Sequence, residues 1–232
     1  VSAGLPPILP LDRAPAASGV DKGQALALTL PWGKPPALHG DAGLHQKGPE
    51  VGNASMYYSL TRLPLNGAVT LNGQAFAVTG SGWMDHEFGT TALGVRAIGW
   101  DWFALQLDDQ RALMVYQIRR DDGTIEPQSS GSLFAAEWRV APPGAWDVPI
   151  TGLDTWQSAA SGGRYPARWR ITIPTYGLTL TVTPRQADQE LRLAQVYWEG
   201  AVAIEGDSQS QPIRGQGYVE LTGYVGTLRG QL

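Results

Sequence analysis

Residues 56–80 read MYYSLTRLPLNGAVTLNGQAFAVTG, and this stretch decides the fold class. Short runs rich in aliphatic, Thr and aromatic residues are separated by Asn66-Gly67 and Asn72-Gly73. Asn-Gly is the strongest short-range hairpin signal, because both residues tolerate the positive φ that a two-residue turn demands. The stretch predicts antiparallel strands with a turn at each pair.

The same grammar extends outward. Upstream, ALALTLPW (25–32) alternates, with Leu26, Leu28, Leu30 and Trp32 on one face. Downstream come IGWDWFALQL (98–107), RALMVYQIRR (111–120), GSLFAAEWRV (131–140), ARWRITIP (167–174), LTLTVTP (178–184), LRLAQVYWEGAVAIEG (191–206) and GQGYVELTGY (215–224). No segment carries the 3.6-residue period of an amphipathic helix. The chain therefore reads as all-β, an antiparallel sandwich or closed barrel. Residues 1–23, rich in Pro, Ala, Gly and Ser, read as an extended arm.

Composition narrows the chemistry. Cysteine is absent, which removes disulfides, thiol nucleophiles and thiolate metal sites. The formal net charge is -4, and the three lysines (Lys22, Lys34 and Lys47) all fall early, so no basic surface for nucleic acid is expected. His39, His45 and His86 show no HExxH spacing, and no metal is expected. Glycine-rich stretches lack nucleotide-loop spacing, so no cofactor is expected either. Ser55, Ser59 and Thr61 are not framed by Gly-x-Ser-x-Gly, which leaves no hydrolase-type nucleophile. No apolar run approaches the roughly 20 residues of a membrane helix.

Nine Trp and eight Tyr against four Phe mean that most aromatic rings carry a polar handle. Period 2 sorts them by face. In 98–107, Trp100 and Trp102 share a face, while Asp101 shares the other with Phe103, Leu105 and Leu107. In GWMDHEFG (82–89), Trp83, Asp85 and Glu87 alternate with Met84, His86 and Phe88. Tyr197 and Glu199 oppose Val196 and Trp198, and Tyr218 and Glu220 oppose Val219 and Leu221. A carboxyl set among apolar rings resists ionisation and can serve as a general acid; it can equally be a structural hydrogen-bond acceptor. His39, in LHGDAGLHQKG (38–48), sits in a glycine-bounded loop suited to a cavity mouth or to a plain surface connection.

Taken in order, KPPALHGDAGLHQKG, NASMYYSLTRL, GSGWMDHEFG, GWDWFALQLDD, LMVYQIR, YPARWRITIP, DQELR, YWEGAV and GYVELTGY resemble the lipocalin-like proteins grouped with carotenoid 1,2-hydratase and the AttH-like family. The resemblance runs from about Lys34 to Tyr224. It implies two lipocalin-like barrels, with residues 1–52 as an arm and the last strands of a shortened or truncated first barrel, and 53–232 as a complete second barrel. It also implies an exported protein.

The activity that the resemblance implies is acid-catalysed hydration of an alkene in a hydrophobic isoprenoid or polyene-like molecule. Catalytic candidates are Asp85, His86, Glu87 and Asp101. Trp83, Trp100, Trp102, Tyr197, Trp198, Glu199, Tyr218, Glu220, Tyr224 and His39 would contact the ligand. Many relatives carry Trp where this chain has Phe88. A carrier of a hydrophobic small molecule and a shape-directed pericyclic cyclase remain alternatives, and peripheral contact with a membrane is compatible with all three.

Overall fold

Asn72-Gly73 makes the expected turn, with φ of 51° and 82°, and joins β5 (Ala54–Leu71) to β6 (Gln74–Thr91). Asn66-Gly67 does not turn; it lies inside β5. A Cβ on Gly67 would sit 2.1 Å from the Ala27 carbonyl oxygen, so this glycine admits a neighbouring backbone instead of reversing the chain. That neighbour is β2 (Gln24–Thr29), which pairs with β1 (Ala16–Asp21) through a turn at Lys22-Gly23. Residues 16–23 are thus a hairpin, not an arm.

The structure is a computed structural model and describes residues 16–91, 93–135 and 148–226. Trp138 and Trp146 lie outside the described residues, as does most of the expected arm. The described chain forms two antiparallel sheets and divides into two compact units, 16–36 with 60–84 and 37–59 with 85–226. The division does not follow a cut at residue 52, because β5 and β6 each contribute to both units.

The first sheet also takes β3 (Ala37–Leu38) and β4 (Leu44–Gln46), both on the first part of β5. The second sheet has nine strands: β7 (Ala97–Leu107), β8 (Ala112–Arg120), β9 (Gly131–Phe134), β10 (Ile150–Gln157), β11 (Arg164–Ile173), β12 (Leu178–Pro184), β13 (Glu190–Arg192), β14 (Val196–Ser208) and β15 (Gln211–Leu221). Their order is β10-β11-β12-β14-β15-β7-β8-β9, with β13 beside β14.

Among the described residues β9 and β10 do not pair, so the expected complete barrel is a curled, open sheet. Its curl is visible in the core. Phe103 of β7 and Trp169 of β11, far apart in strand order, meet edge to face at 5.5 Å. Leu105, Leu113, Val115, Ile171, Leu180, Val182, Trp198, Val202, Ile204, Val219 and Leu221 join the same fully buried cluster. Truncating one of the larger aliphatic side chains to Ala typically costs about 2–5 kcal/mol. The interior of the curled sheet is therefore a packed hydrophobic core, and on β7 and β8 the opposite face is covered too, with Ala104, Gln106, Met114 and Tyr116 buried on it.

Candidate functional site

Trp100 and Trp102 lie two residues apart on one face of β7, and each leads to a carboxylate, Trp100 directly and Trp102 through Tyr57. The Trp100 indole Nε1 donates to Glu220 Oε1 at 2.8 Å. Trp102 Nε1 donates to the Tyr57 hydroxyl at 3.1 Å, and that hydroxyl donates to Asp85 Oδ1 at 3.0 Å. Strand register explains the grouping: Glu220 stands opposite Trp102 on one side and opposite Glu199 on the other. Tyr197 and Tyr218 share this face by the same alternation.

A cavity of about 530 Å³ opens here, lined among others by Trp100, Gln195, Tyr197, Glu220, Thr222 and Val225. Burial pushes the Glu220 carboxyl up to about 7; the Trp100 hydrogen bond opposes that, and the charges of Glu199, Asp85 and Glu87 add to it. Near neutral pH Glu220 is poised to give up a proton.

Beside it lies a polar cluster built by the first part of β5, whose members are buried, and the last part of β6, whose acids Asp85 and Glu87 remain exposed. On β5, Ser55, Tyr57 and Ser59 alternate onto one buried face. They meet Asp85 and Glu87, which alternate in the same way on β6. Ser59 Oγ donates to Asp85 Oδ1 in a short hydrogen bond, and Ser55 Oγ donates to Glu87 Oε1 at 2.5 Å. The loop before β5 reverses between Asp41 and Leu44, whose backbone groups bond reciprocally at 3.0 and 2.9 Å, and returns His39, His45 and Lys47 over β5. Lys47 Nζ pairs with Glu87 Oε1 at 2.8 Å and stands 4.7 and 4.6 Å from the ring centres of Tyr57 and Tyr116.

His39 bridges two hydroxyls, with Nε2 to Ser59 Oγ at 2.7 Å and Nδ1 to Ser132 Oγ at 3.0 Å. Because Ser59 spends its single proton on Asp85, His39 Nε2 must carry a proton and Nδ1 must accept one. His45 Nε2 reaches Ser130 Oγ at 3.0 Å. Burial, then the His45 and Lys47 charges, hold His39 well below the usual imidazole range. Burial and Lys47 take His45 down to about 3. Burial also lowers Lys47, against the opposing pull of Glu87 and Asp85. Two neutral imidazoles thus surround one buried ammonium that is matched by a carboxylate. Burial and the Asp85 charge raise the Tyr57 phenol far above its ordinary value, so it stays protonated, donating to Asp85 while its oxygen accepts from Trp102.

The structure gathers some of the residues singled out from sequence and separates others. Trp100, Trp102, Tyr197, Glu199, Tyr218 and Glu220 share one face of the sheet, and of these Trp100, Tyr197 and Glu220 line the cavity; Tyr218 is 40% exposed. His39 lies at the floor of the polar cluster, fully buried, and not at a cavity mouth. His86 is displaced from the two acids that flank it, because alternation turns it to the opposite side. There it is exposed, bonding Tyr58 at 3.0 Å and meeting Phe88 edge to face.

Asp101 is turned to the core side and is 2% exposed, held by Gln117 Nε2 at 2.7 Å, Arg119 Nε at 3.1 Å and the Tyr224 hydroxyl at 3.0 Å. It does not reach the cavity, and Tyr224 is committed to it. Trp198 is a core residue whose Nε1 donates to the Ala187 carbonyl at 2.8 Å. Trp83, half-buried, belongs to the unit containing 60–84. Tyr57, Lys47, His45 and Tyr116 were not singled out as site residues. The signal for Tyr57 was available: hydroxyl-bearing residues at 55, 57, 59 and 61 alternate onto one face of a strand.

A curled antiparallel sheet around a packed core is the lipocalin-like architecture. The chain belongs to the AttH-like family, which matches residues 13–224. An AttH protein from Nitrosomonas europaea is 35% identical, with a TM-score of 0.82, over 90% of this chain and 64% of its own. Kievitone hydratase from Nectria haematococca shares the fold at 20% identity and a TM-score of 0.74, over 89% of this chain and 64% of its own. The chain therefore spans less than two thirds of either protein. No curated protein matches the sequence.

Proposed function

We propose that this protein is a hydratase-type enzyme that adds water across a carbon–carbon double bond of a neutral, hydrophobic, isoprenoid or polyene-like molecule. The observation that carries the reading is Glu220, a carboxyl pushed up to about 7 on the wall of a cavity beside two tryptophans. The shared fold with a named hydratase supports it.

Glu220 O–H gives its proton to one alkene carbon, and the π pair becomes the new C–H bond. The positive charge left on the more substituted carbon faces Glu199, Asp85 and Glu87, together with the Trp100 and Trp102 rings, whose electron-rich faces suit a cation. Water forms the C–O bond. The resulting oxonium returns its proton to the Glu220 carboxylate, which regenerates the acid, and the sum is one water added. Asp85, held by Ser59 and Tyr57, serves as a fixed counter-charge.

The test is mass spectrometry of neutral prenylated phenols and linear isoprenoid alcohols incubated with the protein in isotopically labelled water. Gain of one labelled water that disappears in Glu220→Gln supports hydration. Tight uptake without a change in mass makes the protein a carrier, and an isomer of unchanged mass makes it a cyclase; either overturns the reading.

A further inference from the structure

Asp101 is a buried carboxylate that the proposed chemistry does not use, yet it has three side-chain partners. One of them, Arg119, extends past it: Nε donates to Asp101, Nη2 donates to the Thr222 carbonyl in a short hydrogen bond, and the guanidinium lies 3.9 Å from the Tyr224 ring centre. Thr222 in turn exchanges hydrogen bonds with Trp100. The Thr222 N–H donates to the Trp100 carbonyl at 2.9 Å, and the Trp100 N–H donates to Thr222 Oγ1 at 2.9 Å. Trp100 then donates its indole N–H to Glu220.

The backbone makes room for this path. The β7–β8 register shifts between Ala97 and Gly99. A Cβ at Gly99 would stand 2.4 Å from the Thr222 oxygen and 2.7 Å from Arg119 Nη2. Only glycine lets the guanidinium and that carbonyl meet over β7.

We propose that Asp101 is a positioning residue for Glu220: by holding Arg119 on Thr222 it fixes Trp100, and so fixes the hydrogen bond that Glu220 receives at the cavity wall. The inference deepens the proposed hydration and rests on it for its catalytic meaning. Its geometry, however, can be tested without substrate. Asp101 faces the core and takes no part in proton transfer; it sets how readily Glu220 keeps its proton. The other titratable groups on that face are Tyr197 and Glu199 of β14, Tyr218 of β15, and Asp85 and Glu87 of β6, and none is linked to Asp101 by this path.

The experiment is an NMR titration of the Glu220 side-chain carboxyl in protein carrying isotopically labelled glutamate, the resonance being assigned by its loss in Glu220→Gln. Asp101→Asn and Thr222→Val should each raise the Glu220 midpoint by about half a pH unit, because the Trp100 hydrogen bond favours the carboxylate. Leu180→Ala, which loosens the core without touching the path, should leave the midpoint in place. An unchanged midpoint in folded Asp101→Asn overturns the proposal. If that variant does not fold, Tyr224→Phe, which deletes a single hydroxyl, replaces it with the same two outcomes.

On a hydrated substrate, Asp101→Asn should lower kcat and leave KM unchanged. If no substrate is hydrated while the midpoint still moves, the functional reading fails and the coupling stands. If hydration proceeds with an unmoved midpoint, the coupling alone fails.

Discussion

Glu199 and Glu220 stand directly opposite each other across the β14–β15 ladder, on the strand face they share with Tyr197 and Tyr218. Like charges at directly opposed positions repel. Here burial has already weakened the hold of Glu220 on its charge, so the pair divides its labour, with Glu199 providing the fixed charge and Glu220 the movable proton.

Removing the neighbour's charge should show this division. Glu199→Gln is expected to move the alkaline limb of the hydration pH profile, centred near 7, toward lower pH by up to about one unit. Glu220→Gln should abolish that limb and slow turnover by about 10²–10⁴-fold, the usual contribution of a general acid. Initial rates across pH 5–9 for the parent and both variants are the measurement.

Stability should follow the same group. The Glu220 value rises from 4.5 in the unfolded chain to about 7 in the folded one, so its contribution is fully present below 4.5 and is lost as pH rises through 7. Between those limits the parent should lose thermal stability relative to Glu220→Gln. A Tm difference that stays constant from pH 4 to pH 8 would count against the assignment.

Lys47 is buried, and its pair with Glu87 is only a third exposed on the acid side. Lys47→Met should cost about 1–3 kcal/mol, less than for a fully buried pair because solvent still reaches the orphaned carboxylate. Adding Glu87→Gln should recover part of the loss. Urea unfolding of the single and double variants measures the coupling.

Tyr57 relays between Trp102 and Asp85. Tyr57→Phe removes the hydroxyl that accepts from the Trp102 indole and donates to Asp85, at a cost of about 1–3 kcal/mol. Tryptophan fluorescence should shift as the hydroxyl beside that indole is removed, and chemical denaturation gives the energy.

Much of this could be read along single strands. The alternation in 98–107 separated Trp100 and Trp102 from Asp101, and the same rule put Glu199 and Glu220 with their tyrosines; both divisions hold in the structure. Which face was the interior was not legible, because apolar and aromatic lists look alike until the sheet curls and Phe103 meets Trp169. That ambiguity placed Asp101 among the catalytic candidates and Trp198 among the ligand residues. Asn66-Gly67 misled for a related reason, since a glycine needed for close backbone approach carries the same letters as a turn. The histidine pair, Lys47 and Tyr57 come together only through a loop reversal and the pairing of β3 and β4 with β5, which no local period encodes.

The long β5–β6 hairpin has one more consequence. Chain membership passes from one unit to the other after residues 36, 59 and 84, so no single cut yields either unit whole. As the protein leaves the ribosome, Tyr57 must wait for Trp102, and Trp100 must wait for Glu220 in the last strand of the sheet. The proton donor's setting is thus among the final features to assemble, and a polypeptide interrupted before residue 220 carries the tryptophans of the site without its acid.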